Sequence, residues 1–163
     1  MPDNTDIFAR LVEDHELHRD LLAKLGESHG ASAERSRLFE RLTKELKSHA
    51  AAEEQALYST MMRKPETTEE TRHSVAEHKE IEDLLNDLAA TEMESREWAG
   101  KFEHLRHRYT HHIDEEEEEN FPDFARYLTR EDVTYMRSVF ERRKQEECRE
   151  AEVTPEKLED AKE

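Results

Sequence analysis

Two stretches of this chain are built to one plan. From His49 the sequence reads HAAAEEQALY and from His112 it reads HIDEEEEENF, so each histidine is followed by two glutamates at the fourth and fifth positions and an aromatic at the ninth. The two histidines are 63 residues apart, and 34 residues before each stands another, His15 opening HELHRDLLAKL and His78 opening HKEIEDLLNDL. The same offset pairs Leu21 with Leu84, Leu22 with Leu85, Leu25 with Leu88, Glu53 with Glu116, Glu54 with Glu117 and Tyr58 with Phe121. A repeat of this kind means that one structural unit occurs twice and that its two copies pack on each other.

The unit is a helix hairpin. Phe8, Leu11, His15, His18, Leu22 and Leu25 recur at spacings of three and four, which marks a first helix from Asn4 or Thr5 to about Glu27, ended by Gly26 and Gly30. Leu38, Leu42, Leu46, His49, Glu53 and Ala56 or Leu57 line a second, from Ser32 to about Arg63. Thr67 with Glu70 gives a capping-box start for a third, with Thr71, Val75, His78, Ile81, Leu85 and Leu88 along its seam. Thr91 with Glu94 gives the same start for a fourth, whose inward line is Trp98, Phe102, Leu105, Tyr109, His112 and Glu116, and Pro122 predicts a kink or the last turn. Thr129 with Asp132 caps a shorter fifth, with Val133, Met136, Val139 and Phe140 as its docking face.

The fold class is therefore all-α: an antiparallel up-down-up-down four-helix bundle over residues 1–128 with an additional short C-terminal helix over 129–148. Residues 149–163 offer almost nothing to bury and are expected to be disordered.

Charge narrows the partners. A net charge of −17 argues against nucleic acid and anionic membrane surfaces, both of which require a basic footprint. No apolar run approaches the ~20 residues of a membrane span. The opening MPDNTDIFARLVEDH carries no basic-then-apolar signal region, and the expected location is cytoplasmic. The single Cys148 reads as an incidental thiol in a charged, exposed stretch.

Histidine and glutamate at i and i+4 lie one above the other on a helix, roughly 6 Å apart at Cβ. Two such pairs facing each other across a bundle, with one histidine from each remaining helix, bring four imidazoles and two carboxylates into one space. Uncompensated polar groups on a core stripe cost several kcal/mol each, so six of them in register point to a metal. Imidazole suits Zn, Cu, Fe and Ni, and a carboxylate can bridge two cations. The expected ligands are His15, His49, Glu53, His78, His112 and Glu116 around a dinuclear centre, each hairpin supplying two histidines to one ion and the two glutamates bridging.

The other histidines divide by helical phase. His18 lies on the stripe one turn after His15 and is an additional candidate, although its repeat mate is Ile81, which favours a core-lining or orienting role. His29, His104 and His107 read as surface residues, His73 lies off the seam, and His111 is about 100° around the helix from His112. Glu54 and Glu117, one residue past the bridges, are placed either to orient a histidine or to face water. Tyr109 faces inward three residues before His112, as a core phenol or as a ligand or hydrogen-bond donor at the centre.

The set resembles the hemerythrin-like (HHE cation-binding) family: a histidine on the first helix, His-x-x-x-Glu on the second, a histidine on the third and His-x-x-x-Glu on the fourth, over about residues 5–128. The resemblance implies two iron ions in a non-haem di-iron centre with carboxylate and oxo or hydroxo bridges. By position, His15 and His49 would hold one iron, His78 and His112 the other, and Glu53 and Glu116 would bridge. It implies a small-molecule partner such as O2, NO or peroxide, which the protein binds or reacts with for sensing, storage or detoxification. Oxygen-carrying members have a fifth histidine one turn after the third-helix histidine, where this chain has Glu82, a further candidate ligand. That departure favours di-iron binding over reversible O2 carriage. The alternatives are a di-iron enzyme with catalase-like or ferroxidase activity, and a regulatory or scaffold bundle whose metal is structural and whose fifth helix or tail meets a protein partner. Ferritin-like bundles use Glu-x-x-His instead, and neither HExxH nor a nucleophile-base set occurs.

Overall fold

The computed structural model describes residues 5–150 and contains, among them, only helices and their connections. Helix α1 spans Ile7–Glu27. Helix α2 runs continuously over 33–61, as Ala33–Glu53, a π-helical turn Glu54–Tyr58 and a last turn Ser59–Met61. Helix α3 spans Thr68–Ala89. Helix α4 repeats the design of α2 over 96–125, as Arg96–Glu115, a π-helical turn Glu116–Asn120 and Phe121–Ala125. Helix α5 is Arg130–Glu150 and lies along α1 and α2. No helix among the described residues is long and apolar enough to cross a membrane.

The helix ends follow local chemistry, with three departures from expectation. Asp6, not Asn4 or Thr5, caps α1, its carboxylate accepting the Ala9 N–H at 2.7 Å. Thr67 precedes α3 but forms no capping box, because its hydroxyl donates to the Met61 carbonyl at 2.7 Å and closes the preceding turn. Thr91 belongs to the end of α3, where its hydroxyl donates to Asp87 O at 2.8 Å, and α4 is capped by Ser95, which accepts the Trp98 N–H at 3.1 Å. Ser32 caps α2 by accepting the Arg35 N–H, and Thr129 and Asp132 exchange both capping-box bonds ahead of α5. Pro122 falls in the last turn of α4. At the other end of the chain, residues 149 and 150 of the expected tail close α5, and 151–163 lie outside the described residues.

The core is in two apolar blocks. One gathers Leu21, Leu22, Leu25, Phe39, Leu42, Leu46, Ile81, Leu85, Leu88, Trp98, Phe102, Leu105, Tyr109 and Ile113. The other joins Ile7, Leu11, Ala52, Ala56, Leu57, Tyr58, Met61, Phe121 and Phe124 to Met136 and Phe140 of α5. Along each helix the ligand-type residues separate the two blocks, His15 falling between Leu11 and Leu21, and His112 and Glu116 between Tyr109 and Phe121. Apolar packing on both sides fixes this polar layer in place.

Candidate metal centre

All six expected ligands are buried, His15, Glu53 and Glu116 completely and His78 the least at 8% exposure. The structure brings them together as the repeat requires. The rings of His15 and His49 are 5.2 Å apart and those of His78 and His112 4.9 Å apart. Glu53 Oε1 lies 3.7 Å from His49 Nε2 and 3.2 Å from His78 Nε2. Glu116 Oε1 lies 3.5 Å from His15 Nε2 and 3.2 Å from His112 Nε2. Each glutamate thus reaches one histidine of each hairpin, which is the placement a bridging carboxylate needs.

The outward nitrogens of the four histidines are held by four carboxylates. His49 Nδ1 meets Asp14 Oδ2 at 2.7 Å and His112 Nδ1 meets Glu77 Oε1 at 2.8 Å. His15 Nδ1 meets Glu117 Oε2 at 2.7 Å, and His78 Nδ1 meets Glu54 Oε1 at 3.4 Å. A carboxylate only accepts, so each Nδ1–H donates outward and each Nε2 is the ring nitrogen turned to the centre. Glu54 and Glu117 therefore take the orienting role of the two open to them. Asp14 and Glu77 escaped the sequence reading, although both stand one residue before a paired histidine and 63 residues apart.

Most of the ligand atoms that face the centre have no hydrogen bond. The Nε2 atoms of His15, His49 and His112, both oxygens of Glu53 and Oε1 of Glu116 are buried without a hydrogen-bond partner. An orphaned buried polar atom costs about 1–3 kcal/mol, more for a charged group, so a cluster of six is a demand for cations that the ligand set fits. The electrostatics agree. Burial lowers His15 and His112, yet Glu116, with Glu117 beside His15 and Glu77 beside His112, overcomes it and raises both to about 9. Burial and the adjacent Glu116 push Glu53 far up, towards its neutral form. His49, surrounded by other histidines in a dry site, is pushed down to about 3, burial being the larger cause.

The additional candidates are placed differently. His18 is buried, its Nδ1 accepting from Tyr109 Oη at 2.6 Å and its Nε2 facing Glu45 Oε2 at 3.3 Å, so both ring nitrogens have partners; a ring nitrogen also lies within 4.8 Å of ligand atoms of Asp14 and His49. Tyr109 is the partner of His18 by the same bond. Glu82 is exposed and stands at the rim of a cavity of about 480 Å3, whose walls include His49, Ala50, Glu54, Val75, His78, Ile81 and Tyr109. This cavity opens between α2 and α3 onto the inner histidines. Its lining exposes more apolar than polar surface.

Helix α5 adds a contribution with no signal in the repeat. The largely buried Lys144 ammonium donates to Asp14 Oδ1 at 2.8 Å and Glu45 Oε2 at 3.0 Å, and Phe140 packs edge-on against His49 at 5.6 Å. Arg10 adds a second cation to Asp14 Oδ1 at 2.5 Å. The Asp14 carboxyl is accordingly held well below the usual carboxylate range: burial raises it, and His49 and Lys144 outweigh burial.

Comparison with known proteins bears on the family and the fold. The family model described as the hemerythrin HHE cation binding domain matches residues 6–124. The crystal structure of a hemerythrin HHE cation binding domain-containing protein from Mycobacterium kansasii is similar in fold, with a TM-score of 0.78 at 23% sequence identity over 88% of this chain and 87% of that one. No curated protein matches the sequence.

Proposed function

The chain belongs to the hemerythrin HHE cation-binding family, and on that premise we propose that it is a non-haem di-iron protein that binds or reacts with O2 or a related small oxidant, NO or peroxide, in sensing, storage or detoxification. The observation that carries this reading is the cluster of six orphaned ligand atoms between the two hairpins. His15 and His49 would hold one iron, His78 and His112 the other, and Glu53 and Glu116 would span them. A bound di-iron pair supplies an electron source and a coordination site for a small diatomic ligand.

The protein's own residues do the rest. The carboxylates of Asp14, Glu54, Glu77 and Glu117 lock the imidazole tautomers, which sets ligand direction and raises ligand basicity. The cavity at His49 and His78 gives a small uncharged molecule a partly apolar way in from between α2 and α3. The apolar blocks on either side exclude bulk water and lower the local dielectric. Glu82 at the rim places a carboxylate where oxygen carriers have their extra histidine, which supports reaction or sensing over reversible carriage.

The experiment is anaerobic reconstitution with ferrous iron, a count of iron per chain, then exposure to O2 with absorption followed. The expected result is about two irons per chain and a spectral response to O2. A response reversed by removing O2 supports binding, and a one-way response supports oxidation chemistry. Retention of one iron or none, or no response, would overturn the reading.

A further inference from the structure

We propose that the outer face between α3 and α4 carries a second, separate site for a divalent transition-metal ion, formed by His73, Glu77 and Glu115, with His111 beside Glu115. The device is the one the buried centre uses. His73 and Glu77 are i and i+4 on α3, His111 and Glu115 are i and i+4 on α4, and the contact of His73 with Glu115 joins the two His-x-x-x-Glu pairs across the helix interface. Ligand atoms of His73, Glu77 and Glu115 all lie within 4.8 Å of one another. His73 Nε2 is 3.5 Å from Glu77 Oε2 and 3.7 Å from Glu115 Oε1, and His111 Nε2 is 3.5 Å from Glu115 Oε2.

Those separations are long for hydrogen bonds. They are close to the edges of a coordination shell, since metal–nitrogen and metal–oxygen bonds of 2.0–2.2 Å at the tetrahedral angle set ligand atoms about 3.4 Å apart. Both imidazoles are more than half exposed, and ions reach them from solvent. Imidazole with carboxylate suits zinc and its first-row neighbours.

The broken symmetry of the repeat is an independent reason. Asp14 and Glu77 are repeat mates with the same task, each holding a histidine of the buried centre by one oxygen. The other oxygen of Asp14 is neutralised by Arg10 at 2.5 Å and Lys144 at 2.8 Å. At the place of Arg10 the second half has His73, and α5, which brings Lys144, packs on α1 and α2. Glu77 is 94% buried at its side chain, and among the described residues its other oxygen has His73 at 3.5 Å and Arg108 at 3.9 Å for cationic neighbours. Arg108 is itself drawn away, bound to both oxygens of Glu80 at 2.9 and 3.0 Å. His111 and Glu115 stand where the first half has Ser48 and Ala52, so ligand-type side chains are added in the half that lacks the protein cations. A bound ion beside Glu77 supplies the charge that Arg10 and Lys144 supply beside Asp14.

The test uses the full chain, loaded with iron at its buried centre and then titrated with zinc. Wild type is expected to take up one zinc per chain more than H73A/H111A, with iron content unchanged in the variant. The control H104A/H107A, which removes two exposed histidines of α4, is expected to match wild type. Equal uptake by wild type and H73A/H111A would overturn the site. So would an equal loss in the control, because it would mean unspecific binding to surface imidazoles. Should the buried centre hold no iron, the difference of one zinc between wild type and H73A/H111A still reads the outer site alone.

Discussion

Tyr58 donates its phenolic proton to Glu116 Oε2 at 2.5 Å, joining α2 to the candidate bridging carboxylate of α4. The repeat gives Glu53 no such donor, because the mate of Tyr58 is Phe121. The two glutamates are therefore unequal: both oxygens of Glu53 are orphaned, but only one of Glu116. Tyr58→Phe should destabilise the metal-free protein by about 1.5–3 kcal/mol, the range for a hydrogen bond to a charged group. Denaturant unfolding measures it, and a variant as stable as wild type would mean that the bond contributes nothing.

The orienting carboxylates predict a graded loss of metal. Asp14→Ala and Glu77→Ala each free one imidazole to rotate or change tautomer, and each should weaken metal affinity about 10–100-fold. Competition against a chelator reads the change. Affinity within twofold of wild type in both would remove these residues from the site.

Glu53→Ala takes a ligand from both proposed irons at once and should lower iron content below one per chain. Glu118→Ala, in the same acidic run as Glu116 but exposed, should leave iron content unchanged. Iron analysis of the two proteins side by side checks the helical phase on which the centre rests, and equal damage would break it.

Lys144 ties α5 to the centre through Asp14 and Glu45. Lys144→Met leaves both carboxylates short of a buried partner and should cost about 3–5 kcal/mol, the range for breaking a buried pair from one side. Thermal unfolding would show it, and a melting temperature equal to that of wild type would reduce α5 to an apolar cover.

A pH effect is expected away from the candidate centre. Glu70, at the start of α3, is raised from 4.5 to about 7 by burial, then by its hydrogen bond to Asp123 and the charges of Asp123 and Glu119. The folded state thus binds this proton more tightly than the unfolded one, so the contribution of Glu70 to stability is complete below pH 4.5 and is lost as pH rises through 7. Glu70→Gln should raise the melting temperature above pH 7 and flatten that slope. A variant less stable than wild type at pH 8 would contradict the sign.

The sequence by itself determined the number of helices among the described residues, their pairing as two copies of one hairpin, and the meeting of six candidate ligands in one layer. It could do so because His-x-x-x-Glu spacing and core periodicity are local properties of a helix, and the offset of 63 carries them from one half to the other. It also contained, unread, the pairing of Asp14 with Glu77. Tertiary structure alone decided what reaches across. Tyr58 is five residues after Glu53, and at 100° per residue in an α-helix it would point about 140° away. The π-helical turn Glu54–Tyr58 widens the helix, and the hydroxyl meets Glu116. Lys144 belongs to a helix outside the repeat and so had no mate to betray it; only the docking of α5 along α1 and α2 brings its ammonium to Asp14. Local periodicity fixes which side of a helix a residue occupies, whereas a contact between helices depends on which faces pack, and only the assembled bundle settles that.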